Sequence, residues 1–136
     1  MELLTTVTIL LLWLILFVLP ILLYKIFTNR KCGFTLFLIT SLIIGGGVII
    51  LAAWWSNYSD LLLLEHYGYN IDGMNHEEFY GNVATENLQK VQELERSISG
   101  VGWQVKAVLF YPYYILSVLF MFLIMRLVKK YFKKNR

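Results

Sequence analysis

Three unbroken apolar runs organise the chain. Residues 3–24, 33–55 and 107–125, of 22, 23 and 19 residues, hold no Asp, Glu, Lys or Arg. Each passes the roughly 18-residue threshold for a spanning helix, and at about 1.5 Å per residue each covers the roughly 30 Å hydrocarbon core of a bilayer. They are apolar on every side rather than along one stripe, which excludes helices resting on a soluble core.

The segment between the second and third runs, residues 56–106, has another rhythm. Leu88, Val91, Leu94, Ile98 and Val101 recur at spacings of three and four, the stripe of an amphipathic helix. Asn75 followed by Glu78 has capping-box spacing, and the pattern predicts a helix from there, interrupted near Gly81, restarted at Thr85 and stopped by Gly100. Earlier in the segment, Ser59 is placed to cap a short helix through residues 61–64, an all-leucine run that lies on the membrane or extends the second span, with Gly68 at its end. Residues 70–73, with Asp72 and Gly73, have turn chemistry. On the amphipathic helix, Glu86 with Lys90 and Gln92 with Arg96 stand at i,i+4. The fold class expected is an all-α integral membrane protein: three transmembrane helices with a partly helical extracytoplasmic loop between the second and third.

Composition agrees. Of 136 residues, 58% are hydrophobic and 15% charged, against roughly 45–50% and a quarter in globular chains. A 51-residue polar segment is also too small for a large catalytic domain.

Charge orients the spans. Lys25, Arg30 and Lys31 follow the first run, and Arg126, Lys129, Lys130, Lys133, Lys134 and Arg136 follow the third, with no acid among them. The 56–106 segment instead carries Asp60, Glu65, Asp72, Glu77, Glu78, Glu86, Glu93 and Glu95. Short Lys/Arg-rich segments stay in the cytoplasm. The expected map is therefore an outside N-terminus with the first helix (1–24), a basic cytoplasmic loop (25–32), the second helix (33–55), an acidic outer loop (56–106), the third helix (107–128) and a basic cytoplasmic tail (129–136). The first run has no basic residue before it and is too long for a signal-peptide core, so it reads as an uncleaved span.

Particular residues carry the candidate contacts. Ser41, Gly45 and Ala52 share one face of the second helix, the small-residue pattern that lets helix backbones approach. Trp54, Trp55 and Trp103 mark the outer ends of the second and third helices as interfacial anchors. Lys129, Lys130, Lys133 and Lys134, with Tyr131 and Phe132 among them, suit anionic headgroups. Pro20 and Pro112 remove a helical hydrogen bond and should bend their helices, Trp13 at mid-depth reads as a packing residue, and the hydroxyls of Tyr111, Tyr113 and Tyr114 need partners. Cys32, the single cysteine, excludes an internal disulfide.

Reactive constellations are few. His76, Glu77 and Glu78 fail the zinc-protease pattern because Tyr80 stands where the second histidine belongs; a calcium loop aligned on Gly73 fails at Gly68 and Phe79. His66 and His76 bind a metal only if the fold brings them together with carboxylates. The apolar runs hold no Asp, Glu, His or Lys, which argues against coupled carriers and haem. Ser41 and Ser117 have no base at their depth. No catalytic residue, cofactor or metal is expected, and nucleic acid is not an expected partner.

The three-span layout with outside N-terminus and basic inner tail is similar to that of some phage holins, and bacteriocin immunity proteins are also small polytopic proteins of this size. The expectation is a non-enzymatic accessory, assembly or inhibitory factor in the bacterial inner membrane, with the bilayer and a larger membrane protein or further copies of itself as partners. The alternative is a self-assembling, holin-like pore. In a eukaryotic host, the Asn57-Tyr58-Ser59 sequon and the Lys133-Lys134 tail would point to the endoplasmic reticulum membrane instead.

Overall fold

The computed structural model describes residues 2–29 and 32–134, with side chains to Tyr131. Arg30 and Lys31 of the basic loop and the side chains of Lys133 and Lys134 lie outside the described residues. The described chain is helical: α1 (Glu2–Phe27), α2 (Gly33–His66), α3 (His76–Tyr80), a 3-10 turn at Thr85–Asn87, α4 (Leu88–Ser99) and α5 (Trp103–Lys134). α1, α2 and α5 are the three helices long and apolar enough to cross a membrane. α2 is central: α1 packs most on it, then α5, while α1 and α5 touch each other least.

The helix boundaries differ from the apolar runs, and the largest difference is in α2. It continues unbroken past Trp55 to His66, so no separate short helix begins at Ser59. Neither Pro nor Gly occurs between Trp55 and Leu64 to stop it, and Ser59, buried inside the helix, turns its hydroxyl back to the Ser56 carbonyl at 2.9 Å. With 34 residues, α2 is about 51 Å long. That exceeds a roughly 30 Å hydrocarbon core; the length beyond the apolar run, residues 56–66, forms a post. The post ends in a Schellman motif: Gly68 N–H donates to the Glu65 carbonyl, Tyr69 N–H to that of Leu64, and Gly68 takes φ +84°. α5 likewise starts at Trp103, before its apolar run, and continues through Pro112, as α1 continues through Pro20.

α4 lies back against the post. Val91 is wholly buried and forms a small core with Leu64 and Tyr69, joined by Leu94 and Ile98. Val101, the last residue of the predicted stripe, lies beyond the helix and is exposed. Asn75 caps α3 as its spacing predicts: Glu78 N–H donates to Asn75 Oδ1 at 2.9 Å, while the Glu78 carboxylate accepts from the N–H of the preceding Met74 at 2.9 Å rather than from that of Asn75. Gly81 follows the resulting α3 after only five residues.

The larger core lies among the three long helices and includes Leu16 and Leu23 of α1, Phe37 and Ile49 of α2, and Ala107, Tyr114 and Val118 of α5. Towards the basic end it becomes aromatic, with Phe122 against Tyr24, Phe34 and Phe37 at ring separations of 5.6, 4.7 and 5.4 Å.

Candidate functional site

Three places gather polar groups: the α2–α5 seam; the headpiece, residues 67–102 with α3 and α4, on the post; and the basic end at residues 126–131.

In the seam, two tyrosines of α5 reach two consecutive carbonyls of α2. Tyr114 Oη donates to the Ser41 carbonyl and Tyr111 Oη to that of Leu42, each at 3.2 Å. In helical geometry those carbonyls also face the N–H groups of Gly45 and Gly46, and the same glycines make room for the rings. A Cβ on Gly45 would stand 2.2 Å from the Tyr114 ring, and one on Gly46 3.1 Å from that of Tyr111. A Cβ on Gly47 would meet nothing within 4 Å among the described residues beyond its own helical turn. Ser41 is fully buried, and its own Oγ has no partner among the described residues. Ala52, further along, is half-buried. Trp13 is held edge-on to Phe110 of α5 at 5.7 Å.

The headpiece is fastened to the long helices by polar contacts at its edges. Glu95 of α4 accepts from Tyr69 Oη at 3.0 Å and from Tyr80 Oη, tying both the α2–α3 connection and the end of α3 to α4. That bond to a carboxylate pushes the Tyr80 phenol up to about 12, with burial adding to it; burial first, then Glu95, raises Tyr69. Ser97 Oγ donates to Asp60 Oδ2 of the post at 2.7 Å. At the other end of α4, Lys90 pairs with Glu2 of α1 at 3.0 Å, and Tyr67 Oη donates to the same carboxylate. The Glu2 partner raises the Lys90 ammonium. Lys90 therefore does not take the expected Glu86: α4 turns it towards the start of α1, where Glu2 is the acid within reach. Sequence reasoning missed this three-residue clasp and the Glu95 pair of tyrosines. Opposite charge at the same predicted end was the available signal for the first, and no local spacing encodes either.

The three tryptophans at the headpiece end have different settings. Trp54 is partly exposed and stacks on Tyr58 at 5.3 Å, Trp55 is half-buried with a buried Nε1 that has no partner among the described residues, and Trp103 opens α5 half-buried. His76 stacks on Tyr80 at 4.5 Å, while His66 lies against Tyr67 at 5.6 Å. Among the described residues no group of three or more His, Cys, Asp or Glu could hold a metal.

At the basic end, Lys129 Nζ lies 3.4 Å from both Thr28 Oγ1 and Asn29 Oδ1. It joins Arg126, Tyr24 and Phe34 around a cavity of about 340 Å³. Lys130 is exposed on the following turn position. Compared with protein-family models, with curated proteins and with solved structures, the chain matches none of them.

Proposed function

We propose that this is a non-enzymatic membrane protein that works by contact, as an accessory, assembly or inhibitory factor. In this reading the headpiece is outside, the basic end is cytoplasmic, and the bilayer is that of a bacterial cell. One observation carries it: the headpiece is clamped to the bundle at the Val91 core, the Asp60–Ser97 bond and the Glu2–Lys90–Tyr67 clasp. A clamped element presents its outer residues in a fixed arrangement, and those left exposed include Glu77, Glu78, Glu86 and Glu93. A partner with a basic surface is the complement of that face. The lysines at the other end, Lys129 and Lys130 with Lys133 and Lys134, suit anionic headgroups, each worth about 1 kcal/mol at such a surface.

The experiment is to extract the tagged chain in mild detergent and weigh the native complex. A stoichiometric second protein, lost on reversing Glu77, Glu86 and Glu93 to Lys, supports the contact reading. The seam favours this over a self-assembling pore, because Ser41 and Gly45 are occupied by the chain's own Tyr114. A ring of identical copies with dye leakage on expression would overturn it in favour of the pore.

A further inference from the structure

α1 and α5 touch least of the three long helices, and near the headpiece end a cleft of about 590 Å³ opens between them over α2. Its floor is apolar, with Leu16 and Ile49 buried beneath it. Its sides carry Trp13 and Phe110, both partly exposed. The volume falls within the roughly 300–1,000 Å³ of small-ligand sites. Along α5 it runs from Lys106 to Ser117, eleven helical steps or about 16 Å. That is close to half of a roughly 30 Å hydrocarbon core: the cleft has the depth of one leaflet.

Lys106 stands at its polar end. The ammonium donates to the Ser97 carbonyl at 3.2 Å, while Asp60 accepts from the Ser97 hydroxyl. Among the described residues the ion pair within 4 Å is Glu2–Lys90, so Lys106 has a carbonyl but no carboxylate at that distance. A half-buried cation with no carboxylate within 4 Å among the described residues, at the head of an apolar slot one leaflet deep, is matched by a molecule with an anionic head and a long chain.

We infer that this cleft binds one acyl chain of an anionic phospholipid from the leaflet at the headpiece end, with the lipid phosphate at Lys106. The inference rests on the membrane placement proposed above, and gives the chain a structural lipid wedged between α1 and α5.

The test uses the full chain with Trp54, Trp55 and Trp103 changed to Phe, leaving Trp13 as the fluorophore in the cleft wall. It is reconstituted in phosphatidylcholine vesicles containing a small fraction of lipid brominated on its acyl chains, since bromine quenches indole on contact. At equal mole fraction, brominated phosphatidylglycerol should quench with an apparent affinity about fivefold above that of brominated phosphatidylcholine, the weight of one basic residue at an anionic group. Lys106→Gln should make the two curves coincide, and native mass spectrometry should lose a retained anionic lipid with it. Coincident curves in the starting chain, or a preference that survives Lys106→Gln, would overturn the site. A preference displayed by brominated fatty acid but not by phosphatidylglycerol would overturn the phospholipid as its occupant. Failure to float with the vesicles, without quenching by any lipid, would overturn the membrane placement and the site with it.

Discussion

Tyr114 lies across Gly45: its ring occupies the space a Cβ would fill, and its hydroxyl donates to the Ser41 carbonyl one helical turn earlier at 3.2 Å. Ring and hydroxyl thus use one turn of α2 twice, first as a gap and then as an acceptor. Where both helices are surrounded by lipid, such close packing and hydrogen bonding are what join them, because no hydrophobic force favours helix over lipid contact.

The three glycines should therefore differ sharply. Gly45→Ala forces the Tyr114 ring to move and should cost about 1–3 kcal/mol, towards the upper end, as overpacking does. Gly46→Ala asks less of Tyr111, whose ring stands 3.1 Å from the added carbon. Gly47→Ala meets nothing within 4 Å and should be neutral, or stabilising by up to about 1 kcal/mol through helix propensity. Unfolding of the three variants in mild detergent gives the order, and Tyr114→Leu should recover part of the Gly45→Ala loss in a double-mutant cycle. Equal effects at Gly45 and Gly47 would refute this packing.

In the headpiece, burial should outweigh charge. Val91 is fully buried between α4 and the post, so Val91→Ala removes packed methyls and should cost about 2 kcal/mol. Lys90→Gln breaks an exposed pair with Glu2 and should have a small effect that fades further in salt. Protease cleavage within residues 81–100 reports release of α4, and a larger effect from Lys90→Gln than from Val91→Ala would show that the clasp, not the core, holds it.

How much of this is written in the sequence follows from the range of each interaction. Unbroken hydrophobicity marks α1, α2 and α5, and short-range rules place the Asn75–Glu78 cap, the Gly68 turn and the end of α4 near Gly100. The α2 post was legible only as an alternative, because polarity at Ser56, Asn57 and Asp60 signals where lipid would end and says nothing about where a helix must. The Glu2–Lys90 pair spans 88 positions, and Tyr111 reaches Leu42 across 69. Contacts of that range depend on how whole helices are rotated. A count of small residues on one face of α2 identified Ser41 and Gly45 as contact positions, yet could not say that a tyrosine fills them.

Alkali should loosen the headpiece in a defined window. Tyr80 and Tyr69 donate protons to Glu95, and both phenols are raised above their usual value near 10, Tyr80 to about 12. A group whose folded value is raised contributes stability fully below its unfolded value and loses it as pH climbs through the folded one. The contribution is thus intact up to about pH 10 and lost between about 10 and 12. Tyrosinate absorbance should reveal late-titrating phenols, of which the Tyr80 one disappears in Tyr80→Phe while that of Tyr69 remains. That variant should lose about 1.5 kcal/mol below pH 10, the low end for a bond to a charged group because Tyr69 still holds Glu95. Ordinary titration of every tyrosine would contradict the Glu95 arrangement.

The proposed orientation can be read from one thiol. Cys32 is exposed, is the chain's single cysteine and stands at the start of α2, at the end opposite the headpiece. A membrane-impermeant maleimide should label it in inverted vesicles and leave it untouched in intact cells, since the neighbouring Lys25, Arg30 and Lys31 favour retention in the cytoplasm. Met74, 92% exposed in the headpiece turn, provides the opposite mark. In a Cys32→Ser background, Met74→Cys should label from outside intact cells. If both positions label from one side, α2 does not cross the bilayer. If the two labels exchange sides, the headpiece faces the cytoplasm, and a partner for its acidic face must be sought there.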